Sequence, residues 1–455
     1  MRGKYQRERF CMTHIMESYF NDIVDSICKA VRFDSSLKPA EGAYPFGKET
    51  ADCLNFYLSL ASEMGFETHN YDNYVGEVVF GEGEELAVLV HLDVVPAGGG
   101  WRFPPFAAVI NDELSAGGVP GVKIWGRGTM DDKGPAVAVL YCLKALKDEG
   151  FVPKRKIKLI VGCNEENGWA CLDHYNEVAH MPEEGFSPDA SFPAIYAEKG
   201  ILHFAAEFPL ENPPFLSLGG GSAVNMVCDR ASAVLTDSAA ATLKTYKNDF
   251  PGTSFAFDEE TKTLTVTGKS AHGSTPECGA NALGGLLKFL AALDGGCKKA
   301  YDLLFADALG LKNMQDETGS LTMSPDVACF ENGKLAIGTD IRFPATHKKE
   351  EILSALDKAG VSYKVLHDQA PLYNDPNGRL ISTLMRVYNT ALGKDEKAIA
   401  IGGGTYARAL KCGCGFGPEL PDEEATIHQP NEYITFDRIR MMSEIYYDAL
   451  KELTK

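Results

Sequence analysis

No apolar run in this 455-residue sequence approaches the roughly 20 residues that carry a helix across a bilayer, and stretches such as Leu86–Val90 stop far short. No membrane partner is expected. Positive charge is also scarce. Lys and Arg number 44 against 63 Asp and Glu, a formal net charge of −19, which argues against a nucleic-acid partner, whose backbone requires a basic face. No cysteine pair has the spacing of a zinc knuckle or of a redox pair. Cys412-Gly413-Cys414 is one residue too tight for either and is expected to line a loop. The 12 cysteines are scattered, several inside apolar segments such as Val139-Leu140-Tyr141-Cys142-Leu143, as buried reduced thiols of a cytoplasmic protein would be. No apolar segment suited to a secretory signal follows the basic Met1-Arg2-Gly3-Lys4 before Asn21. The first dozen residues are expected to be disordered or an overlong start.

The length exceeds the size, about 250–300 residues, at which single cores stop growing, so two domains are expected. Apolar residues recur at helical spacing from His14 to Val31 and again from Ala51 to Met64. Glu85–His91 reads as a buried parallel strand, followed by a Gly- and Pro-rich loop over 97–128 and a helix over Pro135–Asp148. Lys156–Val161 is a second buried strand and Trp169–Ala179 a further helix. This alternation predicts a doubly wound α/β domain. Beyond Lys199-Gly200 the pattern changes to alternating strands (Leu202–Phe208, Thr263–Thr267, Lys334–Arg342) around a helix near Asn281–Leu293, an inserted α+β lid domain. It ends near the turn Asn374-Asp375-Pro376-Asn377-Gly378, after which the chain returns to the first domain. The expected division is 1–200, 201–375 and 376–455.

Six segments carry candidate chemistry: His91-Leu92-Asp93, Asp131-Asp132-Lys133-Gly134, Glu165-Glu166, Asp189, His272 and His428. Side chains at i and i+2 of a strand share a face, so His91 and Asp93 can point together at its carboxyl end, where open α/β sheets bind ligands. A carboxylate on the far nitrogen of a metal-ligating histidine fixes its tautomer, the role expected of Asp93. Asp131-Asp132 sits at a helix mouth whose partial positive charge favours anions. A paired metal centre needs one bridging carboxylate, others to complete each site, and one unligated carboxylate to accept the proton of the attacking water. The adjacent glutamates Glu165 and Glu166 can divide the last two duties.

These segments, with Val94-Val95-Pro96, Gly128-Thr129-Met130, Asn164, Ser187-Pro188 and Ser270-Ala271-His272-Gly273-Ser274-Thr275-Pro276-Glu277, resemble the peptidase V family of zinc dipeptidases. Its superfamily includes carnosinase, carboxypeptidase G, aminoacylase and succinyl-diaminopimelate desuccinylase. The resemblance runs from about Tyr19 to Leu450. It implies a zinc-peptidase catalytic domain with two Zn2+ per chain, Co2+ or Mn2+ being alternatives. Asp131 would bridge the metals, His91 and Asp189 would complete one site, and Glu166 and His428 the other. Glu165 would be the general base for a metal-bound hydroxide, and the Asp131–Asp132 peptide would be cis. His272 would stabilise the oxyanion and Asn225 would assist there or at the substrate. Arg342, in Asp340-Ile341-Arg342, would grip the substrate's C-terminal carboxylate. The turn Gly402-Gly403-Gly404-Thr405-Tyr406 is wrongly spaced for a phosphate loop; by the resemblance Gly403, Gly404 and Thr405 border the substrate.

The expected function is hydrolysis of short unblocked peptides, mainly dipeptides, by a monomer whose large insert imitates a dimer partner. The alternatives are an N-acyl amino acid deacylase or desuccinylase of the same superfamily and, from another class, an inactive ligand-binding homologue. Ser115–Gly121 reads as an insertion relative to the family pattern, and Cys278 stands where a polar residue is expected.

Overall fold

The computed structural model describes residues 13–421 and 423–455, so the expectation for the first dozen residues lies outside the described residues. The chain forms two compact units. The first runs to Tyr196 and takes up Asn374–Ile399 and Thr405–Lys455; the second is Ala197–Tyr373 with Ala400–Gly404. The segment Ala400–Gly404 therefore groups with the insert rather than with 376–455.

In the first unit the strands lie in the order Glu67–Tyr71, Val75–Phe80, Arg155–Gly162, Glu84–His91, Glu184–Ser187, Cys412–Gly415, Ile195–Glu198. The central four are parallel. Leu86 to Val90 are fully buried, as a parallel strand covered on both faces requires. Helices His14–Val31, Lys133–Asp148 and Phe436–Leu453 pack on one another. Thr435 starts the last of these, its hydroxyl accepting from the Arg438 N–H at 3.0 Å. The central place of Cys412–Gly415 corrects the reading of this segment as a loop. Only a glycine at 413 admits the Ala407 carbonyl, which a Cβ there would meet at 1.9 Å. The loop read over 97–128 likewise contains two short strands, Val109–Asn111 and Lys123–Trp125, that pair in a three-stranded sheet with Tyr433–Thr435.

The second unit is an eight-stranded antiparallel sheet ordered Ser254–Asp258, Thr263–Thr267, Arg230–Leu235, Phe215–Gly220, Thr322–Glu331, Lys334–Phe343, Gly200–Pro209, Ser362–Gln369. Its core is set by period-two alternation. Leu202, Phe204, Ala206 and Phe208 on one strand and Leu335, Ile337, Ile341 and Phe343 on its neighbour pack with Leu283, Leu286, Leu287 and Leu290 of helix Ala282–Ala291. The intervening residues, among them His203, Asp340 and Arg342, belong to the other face. No helix among the described residues is long and apolar enough to cross a membrane.

Candidate active site

In the first unit the carboxyl ends of the parallel strands gather the expected ligands. His91 ends its strand, Glu165-Glu166 follows Arg155–Gly162, Asp189 follows Glu184–Ser187, and Asp131 precedes helix Lys133–Asp148. The two oxygens of Asp131 face different imidazoles. Oδ1 lies 3.0 Å from His91 Nε2, and Oδ2 lies 3.0 Å from His428 Nε2. Asp189 stands 3.5 Å from His91 Nε2, and Glu166 stands 3.1 Å from His428 Nε2. Donor atoms of His91, Asp131 and Glu166 come within 4.8 Å of one another, as do those of His91, Glu165 and Asp189. The Asp131–Asp132 peptide is cis.

A histidine's free nitrogen tests whether this set fits a metal. His91 Nδ1 is 3.0 Å from the Asp93 carbonyl oxygen, which only accepts, so Nδ1 carries a hydrogen and Nε2 is the nitrogen left to hold a metal. Nε2 is buried and makes no hydrogen bond, with carboxylate oxygens of Asp131 and Asp189 opposite it. A buried nitrogen without a hydrogen bond, facing carboxylate oxygens, calls for a cation there, and His, Asp and Glu together suit zinc, cobalt or manganese. The Asp93 carboxylate is farther from Nδ1, at 3.4 Å, and has a second task. Its two oxygens accept from the backbone N–H groups of Glu165 and Glu166 at 3.0 and 3.1 Å, which ties the glutamate loop to the histidine strand.

Electrostatics agree with the geometry. Burial and then neighbouring carboxylates push Asp189, Glu165 and Glu166 above their ordinary values, while Asp131, which burial alone would raise, is drawn well down by the two imidazoles. Hydrogen bonds to Asp131 and Glu166 push His428 up to about 11. Burial would lower His91, but Asp189, Asp131 and Asp93 carry it well above normal. Carboxylates thus outnumber imidazoles in the cluster, and burial opposes their charge. His428 itself has φ +61°, a left-handed conformation that a non-glycine residue adopts at a cost of about 1–3 kcal/mol.

The second unit assembles another set. Gly273 N donates to the Asn225 carbonyl at 2.7 Å, which joins the Asn225 and His272 segments. His272 Nδ1 accepts from the Ser274 N–H at 3.1 Å, so its hydrogen sits on Nε2. Burial, then the positive charge of Arg342, lowers its pKa and keeps the ring a neutral N–H donor near pH 7. Arg342 Nη1 donates to the Gly402 carbonyl at 3.3 Å, linking the arginine to the Gly-rich turn that holds Gly403 and Gly404. Thr405 belongs to the first unit, where its hydroxyl caps the short turn Tyr406–Ala409.

The profile of peptidase family M20/M25/M40 matches residues 87–452. The chain belongs to this family. It is 32% identical to the Beta-Ala-Xaa dipeptidase of Lactobacillus delbrueckii subsp. lactis, over 97% of this chain and 98% of that one. A Bacillus subtilis relative is 34% identical over 90% of this chain and 92% of its own length. The structure of human carnosine dipeptidase 1 superposes with a TM-score of 0.56 at 14% identity, covering 96% of this chain and 97% of that one, a likeness of fold.

Sequence reasoning missed several residues of this M20 peptidase. Trp169 donates its indole N–H to Glu165 Oε1 at 3.1 Å across the turn that precedes helix Ala170–Val178. Tyr406 is fully buried with its ring edge-to-face against both His91 and Trp169. It fits because the residue paired with His91 is Gly162, where a Cβ would lie 2.0 Å from the Tyr406 hydroxyl. Buried Glu432 accepts from the N–H groups of Gly128 and Met130 at 3.1 and 2.9 Å and from Arg127 at 2.7 Å, bracing the loop that presents Asp131. Asp340 is another, its Oδ1 and Oδ2 accepting from Nε and Nη2 of Arg342 at 2.8 and 3.0 Å.

Proposed function

We propose that this M20 peptidase is a metal-dependent dipeptidase, using His91, Asp131 and Asp189 for one divalent cation and Asp131, Glu166 and His428 for a second. The observation that carries the reading is Asp131, whose two oxygens each stand 3.0 Å from a different imidazole. Zinc is the proposed metal, with cobalt or manganese as replacements. Bound there, it supplies Lewis acidity and lowers the pKa of water from 15.7 toward roughly 7. Glu165 takes a proton from water and delivers it to the leaving amine. Asp93, through its backbone carbonyl and carboxylate, holds His91 in the ligating tautomer. His272 donates its Nε2–H to the oxyanion, Asn225 assists, Arg342 takes the C-terminal carboxylate, and Gly403, Gly404 and Thr405 border the substrate.

The enzyme is proposed to work as a monomer in the cytoplasm on small peptides. Buried unbridged thiols such as Cys28, Cys53, Cys142 and Cys163 support a reducing compartment. The test is kcat/KM for a dipeptide, its C-terminal amide, the matching tripeptide and an N-acyl amino acid, on protein of measured mass and metal content. The free dipeptide should be cleaved fastest. Preference for the N-acyl amino acid would replace this reading with a deacylase.

A further inference from the structure

Asp340 is fully buried and lies between the two groups of the second unit that the proposed function uses. The spacing Asp340-Ile341-Arg342 puts acid and arginine on one face of strand Lys334–Phe343, away from the apolar core. There the carboxylate accepts from Nε and Nη2 of Arg342 at 2.8 and 3.0 Å, a two-point contact that fixes the guanidinium plane. His203, its direct partner on the adjacent strand, brings Nε2 to 3.3 Å from Oδ1. Against Oδ2 rests Gly273, the neighbour of His272. A Cβ at Gly273 would lie 2.4 Å from that oxygen, so only glycine lets the His272 loop settle on the carboxylate.

We infer that Asp340 is a positioning residue, one carboxylate that orients Arg342 toward the substrate carboxylate and seats the His272 loop. This rests on the dipeptidase reading above. Because the side edge of the guanidinium is spent on Asp340, Arg342 meets its ligand with the end edge of Nη1 and Nη2, in a plane that Asp340 dictates. A substrate carboxylate profits from that alignment; a C-terminal amide does not.

The experiment measures kcat/KM for a dipeptide and its C-terminal amide in the wild type, Asp340→Asn, Gly273→Ala, Arg342→Ala and the double variant Asp340→Asn/Arg342→Ala, with metal content assayed in each. Asp340→Asn should lower the acid-to-amide ratio about 10- to 100-fold, mainly through KM of the acid, with metal retained. Gly273→Ala keeps both charges and presses a methyl group onto Oδ2, so it should lower the ratio in the same direction even where Asp340→Asn fails to fold. Once Arg342 is alanine, Asp340→Asn should cost the ratio nothing further, as coupled neighbours in a double-mutant cycle do. Equal losses for acid and amide, as a merely structural role would produce, overturn the inference, as does a high wild-type ratio left unchanged by both single variants. A wild-type ratio near one overturns the assignment of Arg342 to the substrate carboxylate, and the inference with it.

Discussion

At the scale of single residues, the adjacent glutamates are distinguished by what they face. Glu166 lies 3.1 Å from His428 Nε2, whereas Glu165 is held by the Trp169 indole at 3.1 Å. Glu165→Gln should therefore keep both metals and lose about 100- to 10,000-fold in kcat, the usual contribution of a general base. Glu166→Gln should lose metal, and elemental analysis beside kinetics separates the two outcomes. Trp169→Phe preserves the ring and removes one hydrogen bond to a charged group, about 1.5–3 kcal/mol, so kcat should fall by roughly 10- to 100-fold with metal content unchanged. Loss of metal in Trp169→Phe would show that the indole props the whole loop rather than one carboxylate. Much of this candidate site is legible in the sequence, because the residues proposed as ligands stand at strand ends or helix mouths beside short turns. The braces are not. Glu432 reaches the Asp131 loop, and His203 reaches Asp340, only through long-range contacts and cross-strand register.

Elements follow the sequence wherever one periodicity governs them. Helix His14–Val31 agrees with its apolar spacing residue for residue, and strand Thr263–Thr267 with its alternation. Short pieces that depend on a partner are harder to read, as Cys412–Gly415 shows, since its glycines carry no pattern and its pairing with Glu184–Ser187 makes it a strand. Strand Thr322–Glu331 has another such feature. Register slips between Pro325 and Val327, leaving Asp326 as the extra residue of a bulge. Its side chain is fully buried, with Oδ1 accepting from Ser324 at 2.6 Å and Oδ2 without a hydrogen bond. Burial, outweighing the Ser324 hydrogen bond and reinforced by Asp340, pushes its pKa up to about 7. The folded pKa exceeds the unfolded one, so the folded state binds the extra proton. The stability this contributes is present below about pH 4 and disappears as pH rises through 7. Asp326→Asn, neutral throughout, should raise Tm by an amount that grows from about pH 4 and levels off above pH 7. Thermal melts at pH 4.5 and 8 check this, and an equal shift at both would mean that Asp326 stays ionised across the range.

Across the whole molecule the dominant fact is negative charge, −19 in all, and Asp93, Asp131, Glu165, Glu166 and Asp189 share one corner with two histidines. Metal binding and folding are linked there, because a cation that binds only the folded chain stabilises it by RT ln(1 + [L]/Kd), about 4 kcal/mol at a thousandfold excess over Kd. Protons compete for the same atoms. His428, with a pKa near 11 in the absence of metal, must release its proton to become a ligand, and so must His91, whose pKa is also raised. Affinity should thus climb with pH as fewer protons oppose the metal. Exhaustive chelation should lower Tm, zinc should restore it, and the gain on adding zinc should be larger at pH 7.5 than at pH 5.5. His428→Ala should lose the greater part of that gain, since Asp131 Oδ2 and Glu166 would then lack their nitrogen partner. A zinc-dependent rise in Tm that is the same at both pH values and survives His428→Ala would place the stabilising metal outside this cluster and withdraw the assignment of its ligands.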